Sequence, residues 1–286
     1  RIKPDLVMLS TCLQGQTGPS ALYPGFGNLI AALLGFYELT GWPDGEACAI
    51  YGAYTDFIAP RFAALCLLAA LEYRRRTGKG QYIDLAQSES SLHFLAPAIL
   101  DYTANGRVMR RQGNRDAHLA PHGAYRCQGD DRWCVMAVAD DAQWRRLCDI
   151  AGHPEWQHEA RFATHADRVR HADALDQCIE SWTRSQRDEE VMARLQAAGI
   201  AAGMVKNMRD IRQDPQLRQR GFWVELDHSE IGRLALEGHP FRFSTIPNQP
   251  RFARPELGEH NAYVLGELLG LSAAEIQRLK ADKIVY

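Results

Sequence analysis

Short apolar runs alternate with Gly- and Pro-rich breaks along the first hundred residues. Residues 5–11, DLVMLST, form a compact apolar run that predicts a buried strand. The following QGQTGPSALYPG predicts a loop, and GNLIAALLGFYELTG, dense in Leu and Ala, predicts a helix that stops at Gly41. After the turn-rich WPDGE, FAALCLLAALEYRRR is apolar on nearly every side, the pattern of a buried helix. Arg74, Arg75 and Arg76 complement its negative end, and Gly78 is placed to cap it. QYIDLA predicts a second strand, and SESSLHFLAPAILDYTANG a second long helix kinked at Pro97. Strand, helix, strand, helix argues for a parallel α/β layer.

The pattern changes near Gly106. RVMRRQGNRDAHLAPHG is basic and loop-like, GAYRCQGDDRWCVMAVA has the alternation of a hairpin, and from Asp140 to about Gly199 the period is helical. IAAGMVK suggests another strand, and GFWVELD and GRLALEGHPFRFS two short ones. The Pro-rich NQPRFARPELGEH then leads into two closing helices around HNAYVLGELLG and AAEIQRLKADK. The expected organisation is a large α/β domain over 1–114, a smaller α+β domain over 115–225, and a return segment with helices packing on the large domain over 226–286.

Composition narrows the function. With 286 residues, 46% hydrophobic and 24% charged, the chain can bury a sizeable core, and a net charge of −2 argues against nucleic acid as a partner. The longest unbroken apolar run, Phe62 to Leu71, is too short to span a bilayer, so no membrane partner is expected. The opening RIKPDLVMLS has no initiator Met and no signal-peptide core, which reads as a piece of a longer protein beginning inside a domain. Seven scattered cysteines without a CxxC suggest reduced thiols in a cytoplasmic protein.

The candidate chemistry starts with AIYGAYTDFIAPRF, where Asp56 stands at the head of the most apolar helical run. A carboxylate there serves either as a helix N-cap or first-turn acid, accepting backbone N–H bonds and meeting the helix dipole favourably, or as a nucleophile or base that those groups keep ionised. The local sequence does not separate the two. QGQTGPS, with Gly15 and Gly18, could cradle an anion but is neither GxGxxG nor a P-loop, and RRRTGKG reads as a charged helix end followed by a turn. Cys127 and Cys134 lack a second ligand pair, and His153, His158, His165 and His171 lack an HExxH, so no metal is expected. Ser88, Ser90 and Ser91 have no GxSxG elbow. Trp133, Trp144, Trp156 and Trp182 fall where core packing is the default.

Taken together, DFIAPRF through LAALEYRRRTGKGQYIDLAQSES resembles the class III CoA-transferases, whose divergent branch is the α-methylacyl-CoA racemases. STCLQGQTGPSALYPGFGNLIAALLGFYELTGWPDG, QGNRDAHLAPHGAYRCQGDDRWCVMAV, DPQLRQRGFWVEL, HPFRFSTIP and LGEHNAYVLGELLGLS extend the likeness over essentially the whole chain, without the family's usual N-terminal portion. The resemblance implies a Rossmann-like large domain, here partial, and an interlocked dimer. It implies that Asp56 is the covalent nucleophile, passing through aspartyl anhydride and aspartyl-CoA thioester intermediates, with acyl-CoA and a carboxylic acid as substrates and no cofactor beyond CoA itself. Gln14, Gly15, Phe26, Gln87, Gly113 and Asn114 are the implied substrate- and CoA-binding positions. QGNR lacks the glycine run of formate-specific members, which hints at a medium-sized or aromatic acid. The racemases carry a histidine where this chain has Phe26, a ring that cannot transfer a proton, so racemization is the weaker alternative, with His122 as a substitute base. A non-catalytic subunit of a heteromeric transferase is a further alternative, against which the retention of Asp56 argues. A homodimer is expected, with a heteromer, or pairing with the absent N-terminal portion to complete the CoA site, as the other arrangements.

Overall fold

The computed structural model describes residues 3–247 and 249–286. It divides into two compact units, Arg1–Met204 and Val205–Tyr286, where the sequence suggests three segments with boundaries after 114 and 225.

In the first unit, β1 (Val7–Cys12) and β2 (Gln81–Ala86) pair in parallel, Val7 opposite Gln81 through Cys12 opposite Ala86. Parallel neighbours require a crossover, and the intervening chain supplies it as α1 (Gly27–Leu33), α2 (Phe36–Leu39) and α3 (Tyr54–Thr77). The helix expected to run through to Gly41 is broken at Gly35, whose backbone is left-handed (φ 89°), so it becomes α1 and α2. α3 ends as the sequence indicates. Gly78 adopts φ 71° and its N–H donates to the Arg74 carbonyl at 2.8 Å, while Arg75 and Arg76 both bond Glu72.

Two expectations need correction. α3 is not buried: among its residues only Thr55, Ile58, Ala59 and Ala70 are, while Leu65 and Leu68 are 65% and 66% exposed. Its apolar surface exceeds what α1, α4 and the two strands can cover. β1 is likewise only partly buried, with Met8 half exposed. Over its full 24 residues α3 is also long and apolar enough to cross a membrane, which the ten-residue apolar run does not convey. Its place between two paired parallel strands accounts for it as the crossover helix of a βαβ unit.

The second long helix is interrupted rather than kinked. α4 (Gln87–Leu92) passes through a 3₁₀ turn, His93–Leu95, into α5 (Ala96–Asn105), with Pro97 in the first turn of α5, where its missing N–H costs nothing.

The predicted hairpin forms as β3 (His122–Arg126) and β4 (Trp133–Ala137), with β5 (Ala201–Met204) added antiparallel to β4. Helices α6 (Asp141–Ala151), α7 (His165–Arg170), α8 (Ala172–Thr183) and α9 (Asp188–Ala197) accompany this sheet. The main hydrophobic core lies here, built from Trp144, Phe162, Leu147, Leu175, Ile179 and Leu195 with Trp156 and Trp182. Arg168 is fully buried among them, bonded to the Asp141 carboxylate at 2.7 Å and to the carbonyls of Ala120 and Phe162. The second unit holds α10 (Met208–Gln213), α11 (Pro215–Gln219), the antiparallel hairpin β6 (Trp223–His228) and β7 (Gly232–Glu237), a π-helical segment Ala262–Leu268, and α12 (Ala273–Ala281).

Candidate active site

Asp56 is the third residue of α3. Ala53 takes the N-cap position and offers no side-chain bond, so of the two local readings Asp56 takes the first-turn place and not the N-cap. None of the described hydrogen bonds to its carboxylate comes from a backbone N–H. Instead the Gln87 Nε2 donates to Oδ1 at 2.9 Å. The side chain is exposed, and its position in the first turn keeps it near the positive end of the helix dipole.

Gln87 opens α4 directly after β2. The site therefore stands at the C-terminal ends of the parallel strands, where open α/β sheets place their ligand crevices. The loop leaving β1 reaches the same place: the Leu13 carbonyl accepts from the Ser88 N–H at 2.9 Å, and both Asp84 carboxylate oxygens accept from the Gln16 N–H at 3.1 and 3.0 Å. Gly15 is buried there, and a Cβ on it would meet that of Ala86 at 3.5 Å. Gln14 is half-buried beside it in the chain.

The turn before α1 completes the arrangement. Phe26 is 84% exposed at the N-cap of α1, and Gly27 follows it against Asp56. A Cβ on Gly27 would lie 2.3 Å from Asp56 Oδ1 and 2.7 Å from its Cγ, and the fully buried Thr55 donates its hydroxyl to the Gly27 carbonyl at 3.1 Å. Sequence reasoning passed over Gly27 and Thr55. The available signal was a glycine placed at a helix start, costly in backbone entropy and explicable by close approach.

Gly113 and Asn114 are held elsewhere, and no described contact joins them to Asp56. Gly113 has φ 61°, donates to the Gly41 carbonyl at 2.9 Å, and has no room for a Cβ, which would meet the Trp42 ring at 2.4 Å. The Asn114 carbonyl lies 2.6 Å from His122 Nδ1, and both residues line a cavity of about 340 Å³ on the β3–β4–β5 sheet. A neighbouring cavity of about 430 Å³ adds Trp42, Arg115, Tyr125 and Asp176. Burial pushes the Asp176 carboxyl up and the Tyr125 hydroxyl, which donates to it at 2.7 Å, up as well.

The other candidates resolve into packing. Ser88, Ser90 and Ser91 are buried on α4, and Ser90 bonds the carbonyls of Ala86 and Gln87. Cys127 and Cys134 are buried free thiols that burial pushes up to about 11 and about 12. His153 stacks on Trp156 at 4.4 Å. Among the described residues no cluster of His, Cys, Asp and Glu could hold a metal ion.

Residues 1–261 match the family described as CoA-transferase family III. The chain belongs to CoA-transferase family III. This is a family of transferase enzymes, and relatives of this family III chain carry such names. It is 30% identical to a succinyl-CoA–D-citramalate CoA-transferase of Chloroflexus aurantiacus, over 99% of this chain and 70% of that protein. A succinate–glutarate CoA-transferase of Agrobacterium fabrum is also 30% identical, over 93% of this chain and 66% of that one. Among solved structures, a CAIB/BAIF family protein from Brucella suis superposes with a TM-score of 0.85 at 30% identity, covering 93% of this chain and 68% of that one. The family III chain thus spans about two thirds of the length of these relatives.

Proposed function

We propose that the protein moves CoA from an acyl-CoA donor to a carboxylic-acid acceptor, with Asp56 as covalent nucleophile. The observation that carries this is an exposed carboxylate, held at one oxygen by Gln87, at the C-terminal ends of the parallel strands in a family III chain. The Asp56 oxygen attacks the thioester carbonyl, the C–S bond breaks, and CoA leaves as thiolate from a mixed anhydride. The thiolate then attacks the aspartyl carbonyl, releasing the donor acid and leaving an aspartyl-CoA thioester. The acceptor carboxylate attacks that thioester to give a second anhydride, and the returning thiolate takes the acceptor acyl group and frees Asp56. Each step exchanges a carboxylate for a thiolate on an acyl carbon, so electrons and atoms balance with CoA as substrate and without a metal or redox cofactor.

Phe26, next in the chain to the Gly27 that meets Asp56, leaves its ring exposed, which supports a contact with the acyl group, and Gln14 and Gly15 lie in the loop that leaves β1. Phe26 has no ionisable group, which supports transfer over racemization. The relatives named for succinyl-CoA, citramalate and glutarate support short carboxylic acids as substrates. Two relatives from Chloroflexus aurantiacus are named as the α and the β subunit of a succinyl-CoA–L-malate CoA-transferase, which supports an assembled enzyme, as a homodimer or a heteromer. Free cysteines support a reducing, cytoplasmic setting.

Oxygen labelling tests the reaction. During exchange between succinyl-CoA and succinate labelled with ¹⁸O in its carboxylates, one acceptor oxygen should be left on Asp56, adding 2 Da to the peptide that contains it. Transfer without label in that peptide would overturn the reading, and exchange of the α-hydrogen with D₂O in the absence of acceptor would favour a racemase.

A further inference from the structure

Gln87 ties the start of α4 to the first turn of α3 through its bond to Asp56. The other end of the same amide, Oε1, is shut off from solvent and accepts no hydrogen bond among the described residues. An unmet buried acceptor calls for an explanation, and a catalytic role is one such explanation. The Asp56 carboxylate fixes the amide's sense, because it requires a donor and only Nε2 is one.

The same oxygen also lies against the bare Cα of Gly27: a Cβ on Gly27 would come within 2.3 Å of Oδ1 and 2.8 Å of the Ala53 Cβ. The Thr55 hydroxyl, bonded to the Gly27 carbonyl, locks this turn to α3 one residue before Asp56. Oδ1 therefore has both an amide donor and the Gly27 backbone close to it, whereas Oδ2 accepts none of the described hydrogen bonds.

Resting on the reading of Asp56 as nucleophile, we infer that Gln87 is the donor to Oδ1 throughout the reaction and that Gly27 is a positioning residue that makes room for it. Oδ2 is then the oxygen that forms the C–O bond to the acyl carbon, and Oδ1 becomes the carbonyl oxygen of the aspartyl anhydride. When the CoA thiolate attacks that carbonyl, negative charge develops on Oδ1, where Nε2 already stands within hydrogen-bond distance. Collapse of this tetrahedral adduct expels the donor carboxylate, which departs with Oδ2, and leaves Oδ1 in the thioester. Gln87 gives up no proton; it supplies a fixed dipole where charge develops.

The experiment follows the rate at which the full-length protein acquires a CoA adduct from succinyl-CoA, by rapid quench and intact mass, across pH. Loss of an oxyanion donor lowers such a step about 10²–10³-fold, and this is the drop expected for Gln87→Ala. Gln87→Glu keeps the shape but sets a second carboxylate against Asp56. The two then share a proton, and the acid limb of its rate profile should move up by about a unit or more, which a merely structural role would not cause. Gly27→Ala should lose adduct formation to a similar degree, with thermal unfolding showing a folded protein. Wild-type rates and pH profile in both Gln87 variants would overturn the role of Gln87, and a wild-type rate in Gly27→Ala would overturn that of Gly27. Absence of any adduct in the wild-type protein during active transfer would instead overturn the Asp56 reading on which both rest.

Discussion

The Cα of Gly27 and the carboxylate of Asp56 are so close that a methyl group on Gly27 would stand 2.3 Å from Oδ1, and the buried Thr55 hydroxyl holds the two segments together through the Gly27 carbonyl at 3.1 Å. Thr55→Val keeps the volume and leaves that carbonyl without its donor. The variant should lose about 1–2 kcal/mol of stability, read as a lower urea midpoint at unchanged slope.

Arg168 is the most demanding buried group. It is fully enclosed, bonds Asp141 and two carbonyls, and sits 5.3 Å from the Trp144 ring. Arg168→Leu strands both carbonyls and should destabilise the protein by about 2–5 kcal/mol, visible in thermal and urea unfolding.

The same pair gives a pH dependence. The Arg168 guanidinium holds the Asp141 carboxyl below its usual range. A depressed carboxyl contributes stability that is present above the unfolded-state pKa of about 4 and is lost as pH falls through the folded value. The urea midpoint should therefore fall between neutral pH and pH ~3, and Asp141→Asn should flatten part of that fall. Because Asp141 is half exposed, solvent screening keeps its share modest.

Cysteine reactivity should follow burial. Cys48 is exposed, while burial pushes Cys134 and Cys148 up to about 12, so neither forms thiolate at pH 8. Iodoacetamide on the native protein should label Cys48 early and reach Cys134 and Cys148 only after unfolding, as peptide mapping would report.

Much of this architecture was legible in the sequence. The strands around 5–11 and QYIDLA, the hairpin whose turn lies between Cys127 and Cys134, and the Gly78 stop all follow from short-range pattern, because alternation and capping are local properties. Burial of α3 was not legible. An all-round apolar helix announces that it needs cover, but the cover comes from other segments, and here α1, α4 and the strands leave Leu65 and Leu68 open.

The site divides in the same way. Asp56 was marked by its charge at the head of an apolar run and by family resemblance, yet local sequence misassigned its partners, offering backbone amides where the structure provides Gln87 from 31 residues further on. Gly27 carries no chemical group, so only its clash distances reveal what it does. Gly113 and Asn114 are tied to Trp42, Gly41 and His122, a placement fixed by tertiary packing and invisible in QGNR.

The most direct measurement of the central claim is the intact mass of the protein mixed with succinyl-CoA and no acceptor. The account predicts a species heavier by one CoA in thioester linkage, mapped to Asp56 and absent from Asp56→Ala, which should also be inactive. Full transfer activity in Asp56→Ala, or an adduct mapped to another residue, would contradict it.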